Sequence, residues 1–182
     1  MLIKDFKRFE GVELYEKIAF ESELGFFVDT YNSQLHKYNF VKDSISGSIK
    51  PGTIRGFHFQ IEPFAQAKLI SIIQGSIIDF FVDIRHDSNT YLDYGKVKLS
   101  SNNSHILYLP KGFAHGFITL EPNTIVSYKL DEHYNPEFEK TILWDDPNLG
   151  VEWPEFEDYF LSDKDKQGLS LNEFKALNDK ES

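Results

Sequence analysis

Thr53-Ile54-Arg55-Gly56-Phe57-His58-Phe59-Gln60 is the stretch whose reading decides the fold. Taken as a β-strand beginning at Gly56, its period of two sends Phe57 and Phe59 to one face and His58 and Gln60 to the other. One face is then apolar and packs, while the other carries an imidazole and an amide close to the cation of Arg55. Alone, the segment leaves two readings open: a functional face, or a hydrogen-bonded core histidine beside a surface arginine. A second segment of the same character, Leu109-Pro110-Lys111-Gly112-Phe113-Ala114-His115-Gly116-Phe117, again sets a histidine among aromatics and turn-forming residues.

Working outward, the flanking sequence is β-rich. Residues 67–74 and 76–85 are apolar runs broken only by Gly75, and residues 94–100, 105–109, 113–120 and 124–130 follow with turns of Ser, Asn and Glu121-Pro122-Asn123 between them. Upstream, residues 1–20 alternate weakly and suggest one or two edge strands, and residues 25–31 a stronger strand after the acidic turn at 21–23. Residues 34–38 suggest a helical turn, and residues 40–47 lead through Lys50-Pro51-Gly52 into the strand of His58. Short strands at this spacing predict a β-sandwich or jelly roll rather than an α/β fold. From His133 the sequence becomes turn-rich and is expected to wrap over the sandwich, with Ser162-Asp163-Lys164-Asp165 as a tight polar turn. Ser170-Leu171-Asn172-Glu173 reads as a capping box opening a short C-terminal helix.

The chain of 182 residues suits a single domain, with its core over about residues 10–168 and a helical tail over 169–182. Its 17 Phe and 9 Tyr supply an aromatic core or an enclosed site. The absence of Cys excludes disulfides, thiolate nucleophiles and thiolate metal sites. No segment approaches the ~18 apolar residues of a membrane span, and an unsecreted, cytoplasmic chain is the expectation. A net charge of −10 argues against nucleic acid or anionic lipid as partner. An anionic substrate therefore needs a local cationic pocket, for which Arg55, Lys68, Lys42 and Lys164 are the candidates. No phosphate-binding glycine loop and no Gly-x-Ser-x-Gly elbow is present.

The motifs Arg55–Gln60, Lys68-Leu69-Ile70, Asp79–Arg85, Leu109–Phe117, Tyr128-Lys129 and Trp144-Asp145-Asp146-Pro147 stand in the order found in the dTDP-4-dehydrorhamnose 3,5-epimerase family. Gly25–Asn32, Trp153-Pro154 and Leu161–Asp165 also resemble it, so the likeness spans about residues 10–168. The resemblance implies an all-β, cupin-like jelly roll with a short C-terminal helical tail. It implies epimerisation of a nucleoside-diphosphate-linked 4-keto-6-deoxy sugar, with no cofactor. The same resemblance makes His58 the base, Asp165 its carboxylate partner, Tyr128 the acid and Lys68 the group that stabilises the enolate. Arg55, His115, Asp29, Glu139 and Lys164 are the substrate-binding positions it points to; Gln60, on the polar face with His58, and Lys42, a cation at a shifted point, complete the substrate-binding candidates. It further implies a homodimer in which an N-terminal strand crosses to the partner. A metal-binding cupin offers His-x-His in its first motif; here that motif is His58-Phe59-Gln60, so the ligand set falls short and no metal is expected.

The likeness breaks where family members contact the nucleotide. They commonly carry Arg-Gly-Phe-Phe where this chain has Leu24-Gly25-Phe26-Phe27, and Gln-Asp-Asn-His where it has Lys42-Asp43-Ser44-Ile45. Their Gln-Gly-Lys is here Gln66-Ala67-Lys68. A site built from polar contacts discriminates strongly, so these changes open GDP-linked as well as dTDP-linked sugars, hexoses or heptoses, and epimerisation at C3, C5 or both. A sugar-nucleotide 3,4-ketoisomerase and a non-catalytic carbohydrate-binding jelly roll are the competing readings.

Overall fold

The computed structural model describes residues 2–6, 8–17, 19–34 and 38–181. Four short strands open the chain: β1 (Leu2–Asp5), β2 (Glu13–Glu16), β3 (Ala19–Ser22) and β4 (Gly25–Val28). Eight more follow: β5 (Lys42–Ser48), β6 (Ile54–Gln60), β7 (Lys68–Gln74), β8 (Ser76–Asp83), β9 (Tyr94–Ser100), β10 (His105–Leu109), β11 (Phe113–Thr119) and β12 (Thr124–Leu130). These pair antiparallel as a nested series, β5 with β12, β6 with β11, β7 with β10 and β8 with β9. That is a long hairpin rolled on itself, the jelly roll the strand spacing predicts. With β13 (Glu139–Thr141), the sheets run β1-β2-β10-β7-β12-β5 and β13-β6-β11-β8-β9.

Alternation along these strands divides the apolar residues into layers. Ile70, Ile72, Leu107 and Val126 of the six-stranded sheet meet Phe81, Leu99, Phe113 and Phe117 of the other between the sheets. Phe57 and Phe59 point the opposite way, onto the outer face of the five-stranded sheet. There Ile142, Leu149, Trp153, Leu171 and Phe174 cover them, so the C-terminal part wraps the sandwich as expected. Fully buried rings such as Phe57, Phe80, Phe81 and Phe117 each contribute on the order of 1.5–3 kcal/mol of transfer free energy.

Several local expectations need correction. β2 lies between β1 and β10 rather than at an edge. The strands β5 and β13 were not anticipated. The strand expected over 25–31 ends at Val28, where it pairs only with β3 in a hairpin of its own. The helical turn expected at 34–38 falls largely on residues outside those described. The polar turn at 162–165 is the start of a one-turn helix, α1 (Asp163–Lys166), whose Ser162 hydroxyl accepts from the Asp165 N–H. The capping box forms as read: Ser170 Oγ accepts from Glu173 N–H, and Glu173 Oε2 accepts from Ser170 N–H, opening α2 (Leu171–Glu181). Among the described residues, no helix is long and apolar enough to cross a membrane.

Candidate active site

Alternation on β6 turns His58 and Gln60 into the sandwich, but it would send Arg55 with Phe57 to the far side. A bulge changes this: between the pairs His115–His58 and Phe117–Arg55, the single residue Gly116 of β11 opposes two of β6, Phe57 and Gly56. Gly56 sits in the bulge with φ of +125°, and a Cβ there would lie 2.4 Å from the Cα of Gly116, so only glycine fits. Arg55 and His58 thereby share one surface, across from His115.

That surface is one wall of a cavity of about 260 Å³. The five-stranded sheet contributes Arg55, His58, Gln60, His115 and, from β13, Glu139; the facing sheet contributes Lys68 of β7, Tyr128 of β12 and Ser46 of β5. The imidazole of His58 and the phenol of Tyr128 therefore approach one space from opposite sheets. Among the described residues no cluster of three or more His, Asp or Glu forms a metal site. The two histidines are instead each taken up by a carboxylate.

His58 Nε2 lies 2.7 Å from Asp165 Oδ1, a close contact outside hydrogen-bond alignment. The imidazole is 28% exposed and the carboxylate 1%. Burial alone would raise the Asp165 pKa, but the adjoining imidazole, the Ser162 hydroxyl and the Gly56 N–H outweigh it and hold it at about 2. The partner of the second imidazole is a residue the sequence reading passed over. His115 Nε2 is 2.7 Å from Asp79 Oδ2, and both side chains are buried. A carboxylate inside the apolar run Ile78-Asp79-Phe80 was the signal, because a buried charge needs a partner.

Lys68 is enclosed, and burial lowers its pKa to about 8 against the opposing charges of Asp79, Glu139 and Asp131. Its Nζ donates to the His58 carbonyl at 3.1 Å. Burial, with the charge of Asp79 added, pushes the Tyr128 phenol well above its ordinary value despite Arg55, so the hydroxyl stays a proton carrier. At the rim, Glu139 binds Lys164 at 2.5 Å and accepts from the Tyr134 hydroxyl at 2.6 Å. Lys42 Nζ stands 5.4 Å from the Tyr134 ring.

Known proteins share this sequence pattern and this fold. The model of the dTDP-4-dehydrorhamnose 3,5-epimerase family matches residues 7–173. The chain belongs to that family. It is accordingly an enzyme of the isomerase class, an epimerase. The dTDP-4-dehydrorhamnose 3,5-epimerase of Methanothermobacter thermautotrophicus is 39% identical over 90% of this chain and 91% of its own length. The crystal structure of the Bacillus anthracis enzyme with TDP and PPi bound covers 94% of this chain and 99% of its own, with 42% identity and a TM-score of 0.90. The Legionella pneumophila epimerase in complex with dTDP-4-keto-L-rhamnose covers 88% of each chain, at 36% identity and a TM-score of 0.83.

Of the candidate site positions, His58, Tyr128, Lys68, Arg55, His115, Gln60 and Glu139 border one cavity. Asp165 stands behind His58, Lys164 holds Glu139 at the rim, and Lys42 reaches the rim through Tyr134. Asp29 is exposed just beyond β4 and does not border the cavity. Tyr134, missed in the sequence, does; it sits in a loop that no periodicity marks.

Proposed function

We propose that the protein inverts a dTDP-linked 4-keto-6-deoxyhexose at C3 and C5 without a metal or other cofactor, His58 acting as base and Tyr128 as acid. In such a sugar the C–H bonds at C3 and C5 flank the ketone. Removing either proton gives an enolate, and returning one to the opposite face inverts the carbon. His58 takes the proton, its imidazole oriented by Asp165. The electron pair moves onto the C4 oxygen, where the Lys68 ammonium stabilises it. The Tyr128 phenol hands its proton to the carbon from the other side, and imidazolium and phenolate then re-equilibrate with water. Arg55 supplies a planar cation for paired phosphate or sugar oxygens, with His115, Glu139, Lys164 and Lys42 as further contacts.

One observation carries this reading: a carboxylate-backed imidazole from one sheet and a buried phenol and ammonium from the other line the same cavity. The dTDP nucleotide is favoured because relatives of 39% and 42% identity across nine-tenths of the chain bear that name. Of the altered positions, Leu24 and Ile45 are exposed, Lys42 stands near the rim, and Ser44 shares the inward face of β5 with Ser46 of the cavity wall.

We extend the proposal to a homodimer with exchanged N-terminal hairpins. Among the described residues the β3–β4 hairpin pairs with no other strand, and it leaves Leu24 wholly exposed and Phe26 75% exposed, beside Phe20 and Phe27. An apolar arm of this kind marks an interaction surface, and it carries Asp29 toward a partner.

The test is incubation of metal-stripped protein with dTDP- and GDP-linked 4-keto-6-deoxyhexoses in D₂O, following deuterium at C3 and C5. Exchange at both carbons of the dTDP sugar is expected. No exchange with either sugar sinks the reading, exchange with the GDP sugar alone sinks its nucleotide half, and activity restored only by added metal sinks the cofactor-free mechanism. Sedimentation of a fully active monomer would remove the dimer.

A further inference from the structure

Gln60 borders the cavity as a substrate-binding candidate, yet its amide is occupied by the protein itself. A glutamine has two N–H donors and one carbonyl acceptor. Nε2 donates to the Phe64 carbonyl at 2.6 Å and to the His133 carbonyl at 3.1 Å, and Oε1 accepts from the Asn135 N–H at 2.7 Å. Both donors are taken. His133 and Asn135 are the residues on either side of Tyr134, so one side chain grips the backbone before and after the residue that lines the rim.

The rest of the loop is fastened by other groups. At its start the Ala67 N–H donates to Asp131 Oδ1 at 2.6 Å and Gln66 Nε2 to the Glu132 carbonyl at 2.8 Å. At its end the Ile61 N–H donates to the Phe138 carbonyl at 3.0 Å, and Glu139 pairs with Gln60 in the β6–β13 ladder. Only the middle, 133–135, depends on the Gln60 side chain. That middle carries Tyr134, whose hydroxyl binds Glu139, which in turn binds Lys164. A glutamate in this place would set a second carboxylate oxygen against two carbonyl oxygens, and an apolar side chain would leave all three backbone groups unpaired.

We infer that Gln60 is a positioning residue: it fixes the middle of the loop, residues 133–135, so that Tyr134, with Glu139, forms the rim against which the nucleotide sugar is held. It acts on substrate through Tyr134 and not by contact. The functional part of this inference rests on the proposed epimerase reading; the structural part does not.

The experiment uses Gln60→Met and Gln60→Glu in the full chain, with two readouts. In the first, amide hydrogen exchange followed by mass spectrometry should accelerate by about tenfold or more in the peptide containing residues 133–135, while β7 and β12 keep the wild-type rate. In the second, deuterium incorporation into the 4-keto sugar should show KM raised by about tenfold and kcat within about threefold of wild type. Placed on Tyr134→Ala, Gln60→Met should change KM by less than about twofold, because its effect is already gone. Should Gln60→Met not fold, Gln60→Glu keeps the bond from Asn135 N–H and replaces both donors by a carboxylate oxygen. Unchanged exchange at 133–135, a fall in kcat at constant KM, or additive effects with Tyr134→Ala overturn the inference. A wild-type protein that exchanges no sugar proton defeats the epimerase reading instead, and the loop measurement then decides the positioning of 133–135 by itself.

Discussion

His58 and His115 are register partners on adjacent strands, and each lies 2.7 Å from a carboxylate, yet the two pairs are built for different work. Asp165 is ringed by the Gly56 N–H and the Ser162 hydroxyl as well as by the imidazole, and its pKa is held at about 2. Asp79 has His115 on one oxygen, no hydrogen-bond partner among the described residues on the other, and a pKa that burial raises against His115 and Lys68. His58 is part-exposed at the cavity, whereas His115 is sealed in the wall. The number of donors around the carboxylate, and the access of the ring, separate the pair proposed to transfer protons from an internal counter-charge.

The sharpest way to break that comparison is His58→Asn. It should lower solvent-proton exchange at the sugar by roughly a thousandfold, ~4 kcal/mol of transition-state stabilisation, with nucleotide binding retained. An equal loss of binding, seen by calorimetry with dTDP, would place His58 outside the chemistry. Next in size is the pH dependence of the wild type. In the proposed mechanism Lys68 must be charged to stabilise the enolate, and burial lowers its pKa to about 8. The cation is present below that value and is lost as pH rises through it, so kcat should fall on the alkaline side, about tenfold per pH unit. A flat profile up to pH 9.5 would remove Lys68 from this role. The smallest effect belongs to Asp79→Asn, with a loss of less than about tenfold at pH 7, because an amide oxygen can still accept from His115. Its signature is a displaced alkaline limb. Asp79 raises the pKa of Lys68, so without its charge the fall should begin at lower pH while Glu139 and Asp131 still act on the lysine. A limb that stays in place would show that Asp79 contributes nothing to the ammonium.

Much of the fold was legible because β6 to β12 alternate or run apolar between glycine and proline turns. The strand β5 was not: its inward positions Ser44, Ser46 and Ser48 are polar, so the period of two carries no hydrophobic signal. β13 is three residues long, Glu139-Lys140-Thr141, and exists through its pairing with β6. In the site, His58 and Gln60 followed from alternation. Arg55 could not, because its direction comes from the bulge at Gly56. Tyr134 was illegible for a different reason, since its place is set by an amide 74 positions upstream. Asp165 was reached only through the family likeness, as nothing local ties a polar turn to a strand so far away.

Asp165 has one more consequence. It belongs to the wrapping segment and meets His58 only when α1 docks against β6, where its carboxylate caps the Gly56 N–H. All of the jelly-roll strands, β5 to β12, precede that segment in the chain. A nascent polypeptide released before position 160 thus holds every barrel strand and yet a lone imidazole. On the proposed mechanism, the base is oriented only once this later segment has docked against the barrel.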